Sequence, residues 1–347
     1  MDFQLDDTQR EISGLTQAVL NANPEGASGE FDKELWAGLA KAGLLALANP
    51  ASAGGDGLGI PELVVVLQAV ARKGARIPAL ATLALGALPI AAFGTAQQQN
   101  SLLPEAGSGN AVLSGMLPGA AWEVTAARGG EWRLTGRTSV VPYANHAHRL
   151  VIPAETDSGQ GLFLVDPGGA GVSMARVPTS SGDPEYVVQL DGVRAAPLGA
   201  QPSGESVEYL RRCATIGAVA VGCGALTGAL DLTRQHLRTR EQFGKPLATF
   251  QAVAQQVADV YIAARTTELA LKAASWRLAQ KLAADEDIAL AAYWLIEHGL
   301  PAVRTCHHLH GGIGVDVTYP LHRHYSVIKD VARMLGGAEH QLEGLGV

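Results

Sequence analysis

Charge and aromatic side chains are both scarce in this 347-residue chain: 17% of residues are Asp, Glu, Lys or Arg, and 5% are Phe, Trp or Tyr. With 26 basic against 33 acidic residues and a net charge of −7, there is no excess of positive charge to follow a phosphate backbone, which excludes bulk nucleic-acid binding. Three cysteines, Cys213, Cys223 and Cys306, are an odd number without a CxxC spacing. That argues against a disulfide framework and a thiolate zinc site, and leaves them as small buried apolar side chains. Long hydrophobic runs are also missing. The stretches Leu80–Gly94 and Ile216–Leu230 are broken by Gly, Pro or Thr and are shorter than the roughly 20 residues that span a bilayer. Met1-Asp2-Phe3-Gln4-Leu5-Asp6-Asp7 is acidic where a signal peptide would be basic and then apolar. The expectation is a soluble cytoplasmic protein that enters no membrane.

What is present is 47% hydrophobic residues, rich in Ala and Gly. That composition suits buried helices packed closely, and the length suits two or three domains. From Thr8 to about Pro104 the pattern is helical. Asp32 is placed to cap a short helix carrying Leu35, Trp36, Leu39 and Leu44. Asn49–Gly59 reads as a loop, and Pro61 as the start of a helix with Leu63, Val66, Leu67 and Val70 on one face. Another helix runs through Leu80–Phe93 to a stop at Gly94. Between about Asn110 and Pro197 the texture changes to short β-prone runs: Trp132–Leu134, Thr138–Val141, Arg149–Ile152, Gly161–Val165 and Tyr186–Leu190. Turns are expected at Gly129-Gly130, Asp157-Ser158-Gly159, Pro167-Gly168-Gly169 and Asp191-Gly192.

From about Glu205 onward the pattern is helical again. One stripe is Val207, Leu210, Ala214, Gly217, Val221 and Gly224; a second is Val253, Val257, Tyr261 and Ala264. Asp285 or Asp287 is placed to cap a third helix, and a fourth should follow Tyr319-Pro320. The reading is a mainly α chain with an inserted β-domain: an N-terminal helical domain over 1–109, a middle β-barrel domain over 110–200, and a C-terminal four-helix bundle over 201–347. Helix, then β, then helix does not match a Rossmann fold. Gly54–Gly59 is Gly-rich but follows no strand, so a surface turn explains it better than a nucleotide loop.

Two segments carry specific chemistry. The first is Arg238-Thr239-Arg240-Glu241-Gln242-Phe243-Gly244-Lys245-Pro246-Leu247-Ala248-Thr249-Phe250-Gln251. The second is His308-Leu309-His310-Gly311-Gly312-Ile313-Gly314, followed by Tyr319-Pro320. Arg240 offers a fixed cation with several donors, suited to phosphate oxygens. Gly311 and Gly312 let backbone N–H groups approach a ligand, and Gln251 opens a helix with an amide side chain. Taken singly, these residues could equally be a surface arginine, a core phenylalanine and a helix end.

As a pair, in this order, they resemble the acyl-CoA dehydrogenase family, in which the first is a signature and the second corresponds to Gln-x-x-Gly-Gly-x-Gly. Trp36–Leu45 and Ala92-Phe93-Gly94-Thr95 also resemble family sequence, so the likeness covers nearly the whole chain. The resemblance implies FAD as cofactor and an acyl-CoA as substrate. It implies that Arg240, Gln242, Phe243, Gln251, His308, Gly311 and Gly312 contact the ADP end of FAD held mainly by a neighbouring subunit. It also implies a dimer of dimers assembled through the C-terminal bundle.

The chain departs from the family where the chemistry is done. Removing an α-proton needs a positioned base. The family's Glu near the C-terminus corresponds to Gly336, or to Leu335 without a gap, and its alternative position corresponds to Ala214. Glu339 is the first substitute to consider, ahead of Asp316 and Asp330. The loop that usually reads Thr-Glu-Pro-x-x-Gly-Ser-Asp is here Ser114-Gly115-Met116-Leu117-Pro118-Gly119-Ala120-Ala121-Trp122. The Trp-Ile-Thr piece whose hydroxyl meets the flavin is Val140-Val141-Pro142, and proline has neither hydroxyl nor N–H. His308 stands in place of the first Gln of the Gly-Gly stretch. The half-site offered to a neighbour is kept, while the half-site for the chain's own flavin ring and base is lost. This resembles the non-catalytic type of chain in heteromeric actinobacterial acyl-CoA dehydrogenases, and implies a related catalytic chain as partner. A homomeric dehydrogenase with a displaced base and a flavin-free scaffold remain as alternatives. The clustered His307, His308, His310, His322 and His324 lack the spacing of a metal site.

Overall fold

Asp32 accepts the N–H of Leu35 at 2.9 Å and so starts α2 (Lys33–Lys41), which follows α1 (Asp7–Ala22). The computed structural model describes residues 3–23, 30–117 and 122–345. Pro61 lies in the first turn of α3 (Ile60–Lys73). A π-helical segment, Leu80–Ala87, runs into α4 (Leu88–Phe93), which stops at Gly94; α5 (Ala96–Gly107) is capped by Thr95. Leu44, expected within α2, lies in the turn beyond it, although it is fully buried.

The middle region is a sheet of seven strands among the described residues: β1 (Val112–Gly115), β2 (Glu123–Gly129), β3 (Glu131–Pro142), β4 (Ala147–Thr156), β5 (Gly159–Val165), β6 (Val172–Val177) and β7 (Glu185–Pro197). Pairing runs β4–β2–β3–β7–β5 and back to β4, which closes a barrel; β1 adds parallel to β4, and β6 antiparallel to β7. Alternate residues Leu150, Ile152 and Ala154 of β4 point into the barrel, whereas Val151 packs against Leu85 and Leu113 on the helical side. Gly129-Gly130 and Asp157-Ser158-Gly159 make the expected turns. Asp191-Gly192 does not. It is a bulge inside β7, where Val193 pairs Leu134 but Leu190 pairs Gly136, and Gly192 supplies the positive φ of 59° that the bulge requires.

The C-terminal part consists of α6 (Gly204–Thr239), α7 (Gln251–Ala279), α8 (Asp285–Trp294) continuing through a π-helical turn Leu295–Gly299 into α9 (Leu300–His310), α10 (Leu321–Met334) and the short α11 (Gly337–Gly344). Together α6, α7, α8–α9 and α10 form the four-helix bundle. Neither Asp285 nor Asp287 caps α8. The preceding residue is Ala284, and Asp285 is taken up by Arg211 at 2.9 Å and Arg212 at 2.7 Å across the bundle. The buried stripe of α7 is Val260, Ala264, Thr267, Leu271 and Ala274; of the expected stripe Ala264 is buried and Val253 and Val257 are half-buried, but Val260 takes the inward place expected of Tyr261. Tyr261 and Ile262 are 55% and 59% exposed on the outer face.

Small residues let α6 run close against α3. A Cβ on Gly224 would sit 2.3 Å from the Gln68 carbonyl oxygen, and one on Gly228 would sit 2.4 Å from that of Arg72. The segment Ile216–Leu230 lies inside α6, which by length and composition could cross a membrane. However, 89% of its most apolar window is buried inside the protein, where it is the central helix of the bundle.

Candidate functional site

Two residues join the separate sequence motifs. In the last turn of α6, His236 stacks on His310, the last residue of α9, with ring centroids 4.5 Å apart and planes 19° from parallel. Nδ1 of His310 donates to the Cys306 carbonyl at 2.7 Å, which leaves Nε2 to accept from the Tyr319 hydroxyl at 3.2 Å. Burial lowers the pKa of both imidazoles, and the Arg240 charge adds to the effect on His236. Both shifts favour the neutral rings. Arg240 is one turn beyond His236, its N–H on the His236 carbonyl at 2.8 Å, and Gly311-Gly312 follow His310 directly. The stack thus brings the ends of α6 and α9 together.

Beyond Arg240 the chain forms a tight hairpin in which Glu241 pairs Pro246 and Gln242 pairs Lys245. Its two turn residues, Phe243 and Gly244, both have positive φ, 54° and 78°. Such a turn is easy for Gly and strained for Phe. Phe243 is nevertheless 91% exposed, with only an edge contact to Phe250, whose ring also carries Lys245 Nζ at 4.4 Å. A strained, solvated aromatic contributes little to its own fold, and such outliers gather at binding sites. Gln251 begins α7 and is exposed, as are His308, Gly311 and Gly312. No atom lies within 4 Å of where a Cβ would stand on Gly244, Gly311 or Gly312.

These residues fit the ADP end of FAD: a guanidinium, amide side chains, open backbone and an aromatic face. They are exposed at the end of the bundle where α6 and α9 meet. Ile313, Val315 and Val317, which follow the Gly-Gly pair, are also exposed, as are Tyr261 and Ile262 of α7.

The place for the chain's own flavin ring is different. Pro142 ends β3 and is followed by Tyr143 at φ 53°. Neighbouring hydroxyls are already engaged: Ser114 donates to the Pro142 carbonyl, Ser139 to Leu117, and Thr138 donates to Ser139 and accepts from Val188. They do not fit a ligand that needs a donor from this strand. Pro118–Ala121 of the preceding loop fall outside the described residues.

Beside Pro142 is an apolar cavity of about 100 Å³ between α3, the segment before β7, and α10. Its wall carries charged groups of which only Asp330 stood among the residues the sequence pointed to. Arg76 bonds Asp183 at 3.3 Å and the Gly182 carbonyl at 2.8 Å. Asp330 of α10 accepts the N–H groups of Ser180 and Ser181 at 2.9 and 2.8 Å. Glu185 is 1% exposed and takes Arg333 at 2.5 Å. Burial, opposed in part by the Arg333 charge, raises its pKa to about 7. Three separate parts of the chain are tied together here.

Among the expected base positions, Ala214 is fully buried in α6, and Gly336 forms the left-handed turn between α10 and α11. Glu339 is exposed on α11, Asp316 is bonded to Thr318, and Asp330 is held by its two backbone donors. All three cysteines are free and buried, which pushes the Cys213 and Cys223 thiols up to about 12 and Cys306 to about 11. The His307 and His322 rings bond the backbone carbonyls of Val303 and Tyr319.

Helical domain, β-barrel and bundle in this order, with these two motifs joined at one end, define an acyl-CoA dehydrogenase fold. The family profile described as acyl-CoA dehydrogenase, N-terminal domain, matches residues 7–110, and that described as acyl-CoA dehydrogenase, C-terminal domain, matches residues 212–344. The acyl-CoA dehydrogenase FadE28 of Mycobacterium tuberculosis is 41% identical over 352 residues, covering 100% of this chain and 98% of that protein. The chain belongs to the acyl-CoA dehydrogenase family, a family of oxidoreductases whose cofactor is FAD. It is also similar to a chain of the ChsE4-ChsE5 complex from Mycobacterium tuberculosis, with a TM-score of 0.94, 35% identity, and coverage of 100% of this chain and 98% of that one. A structure described as the Tcur3481-Tcur3483 steroid ACAD G363A variant matches with a TM-score of 0.89 and 37% identity, over 97% of this chain and 96% of that one.

Proposed function

We propose that this chain is the non-catalytic subunit of a heteromeric, FAD-dependent acyl-CoA dehydrogenase, and that it completes the FAD site of a related chain carrying the base. The observation that supports this most is the asymmetry between its two half-sites. Arg240, Gln242, Phe243, Gln251, His308, Gly311 and Gly312 are gathered and exposed at one end of the bundle. The base positions, meanwhile, hold Ala214 and Gly336, and Pro142 stands where the flavin's hydroxyl partner is expected. Likeness to a chain of the ChsE4-ChsE5 complex supports a related chain as partner. Likeness to a steroid ACAD favours a bulky polycyclic acyl-CoA as substrate. When bound, FAD supplies acceptance of the substrate's β-hydride. The residues of this chain hold its phosphates and adenosine: Arg240 as a fixed cation, the glycines as open N–H groups and Phe243 as an aromatic face.

The test is the visible spectrum of the chain purified alone and after co-expression with a related dehydrogenase chain. The expected result is a colourless chain alone and a yellow complex with about one FAD per pair of chains. A yellow homomer that bleaches with an acyl-CoA overturns the reading.

One observation favours the self-sufficient alternative. Glu185 is a buried carboxylate with its pKa raised to about 7, facing an apolar cavity next to Pro142. Those are properties of a general base, and they place Glu185 ahead of the exposed Glu339 for that role. In that case Glu185→Gln would abolish bleaching of the homomer, while Glu339→Gln would not.

A further inference from the structure

The link between Arg240 and Gly311-Gly312 is made of two groups that can each take up a proton, His236 and His310. As neutral rings they lie face to face, 4.5 Å between centroids and 19° from parallel. One proton is tolerated, because an imidazolium over an aromatic face is an attractive pair. A second proton places like charges 4.5 Å apart, with the Arg240 guanidinium as a third. His310 is 5% exposed, so little water screens that repulsion. A proton on His310 Nε2 also turns an acceptor into a donor opposite the Tyr319 hydroxyl, 3.2 Å away. Among the described residues, the charges that act on the two rings, besides the rings themselves, are Arg240 on α6 and His307 on α9; none comes from α7 or α10. No carboxylate is among them, so nothing in this chain offsets the second charge, and burial and these cations lower the pKa of both rings.

We propose that the His236–His310 stack is an acid-released clasp on FAD: with a proton on each ring the two part, the ends of α6 and α9 separate, and Arg240 moves away from Gly311-Gly312, so that the complex lets go of the ADP end. The clasp rests on the reading that these residues hold FAD for the partner chain. An opened imidazole with the ordinary pKa near 6.5 is about ten-to-one protonated at pH 5.5. Each ring kept neutral in the closed site therefore weakens FAD binding by up to about tenfold between pH 7.5 and 5.5. His308 works in the opposite sense. It is exposed beside the Gly-Gly pair, and a proton on it adds a positive charge toward the phosphates. The sign of the pH dependence separates the two: the clasp loosens FAD in acid, whereas the His308 charge tightens it.

The holo-complex is diluted to equilibrium at pH 7.5, 6.5 and 5.5, and released FAD is read by its fluorescence, with circular dichroism recorded at each pH to show that the chains stay folded. The expected result is FAD binding weaker by about fivefold or more at pH 5.5, restored on return to pH 7.5. His236→Phe gives His310 an aromatic partner that takes up no proton, and should hold FAD equally at both ends of the range. In the isolated full chain, ¹³C-labelled at its histidines, the nuclear Overhauser effect between the two rings should vanish over the same range while the circular dichroism is unchanged. FAD affinity that is flat or rises as pH falls overturns the proposal. So does a ring contact that persists at pH 5.5, a loss of FAD that His236→Phe does not abolish, or a loss that only follows unfolding of the chains. Should His236→Phe not fold, the ring contact in the wild-type chain decides. That measurement needs no flavin, so a complex that is colourless at pH 7.5 sinks the reading of the FAD site while the opening of the stack is judged separately.

Discussion

The face-to-face pair His236 and His310, 4.5 Å between centroids, joins the end of α6 to the end of α9 and thereby joins two sequence motifs some 70 residues apart. Aromatic pairs contribute about 0.5–1.5 kcal/mol beyond the area they bury. His236→Ala is therefore expected to lower the unfolding free energy of the isolated chain by about 1 kcal/mol, read by urea denaturation. In the complex it should lower FAD occupancy, because Arg240 loses its fixed position relative to Gly311-Gly312. A variant that keeps full flavin content would show that the stack is only structural.

Phe243 should be costly to the chain that carries it. Its left-handed backbone costs about 1 kcal/mol for a residue with a Cβ, and its ring is 91% exposed. Phe243→Gly is expected to stabilise the isolated chain slightly, or to leave it unchanged, while weakening assembly with the FAD-bearing partner. Thermal unfolding and analytical ultracentrifugation read the two effects separately. Loss of stability in Phe243→Gly would mean that the ring is a core group after all.

Two glycine-to-alanine changes should behave oppositely. At Gly224 a methyl group would sit 2.3 Å from the Gln68 carbonyl, so α3 and α6 must move apart. A loss of about 2–3 kcal/mol follows from overpacking. At Gly312 no atom lies within 4 Å, and its φ is not positive. Gly312→Ala is expected to leave the melting temperature unchanged but to reduce the FAD bound by the complex. Circular dichroism melts and flavin absorbance distinguish the two.

Acid should destabilise the chain through His324. This imidazole is 3% exposed between α10 and the glycines of α3 and α6, and burial lowers its pKa from 6.5 to about 4. The folded state holds it neutral, so its contribution is present above pH 6.5 and is lost as pH falls toward 4. A shift of that size corresponds to about 3 kcal/mol. Replacing it in His324→Leu should flatten the fall in urea midpoint between pH 6.5 and 4, whatever its effect at pH 8. An unchanged slope would assign the acid sensitivity to other groups.

The sequence by itself determined the elements and their order. Asp32, Pro61, Gly94 and Gln251 mark helix ends through local chemistry: a capping carboxylate, a ring that fits the first turn, a residue that leaves the helix. Gly129-Gly130 and Asp157-Ser158-Gly159 mark turns in the same way, and the two long motifs pointed to the family because their residues lie close together in the chain. Local signals failed where a neighbour in space decided. Asp191-Gly192 looks like a turn, yet β3 holds it as a bulge within β7. The buried face of α7 runs through Val260 rather than Tyr261, since packing in the bundle sets its rotation. Asp285 serves Arg211 and Arg212 instead of a helix cap. Only the tertiary structure could bring Glu185 to Arg333 and Asp330 to the Ser180 and Ser181 N–H groups. These partners lie about 150 residues apart, and their pairing, like the burial and raised pKa of Glu185, comes from a low-dielectric junction of three parts of the chain, which no stretch of sequence contains.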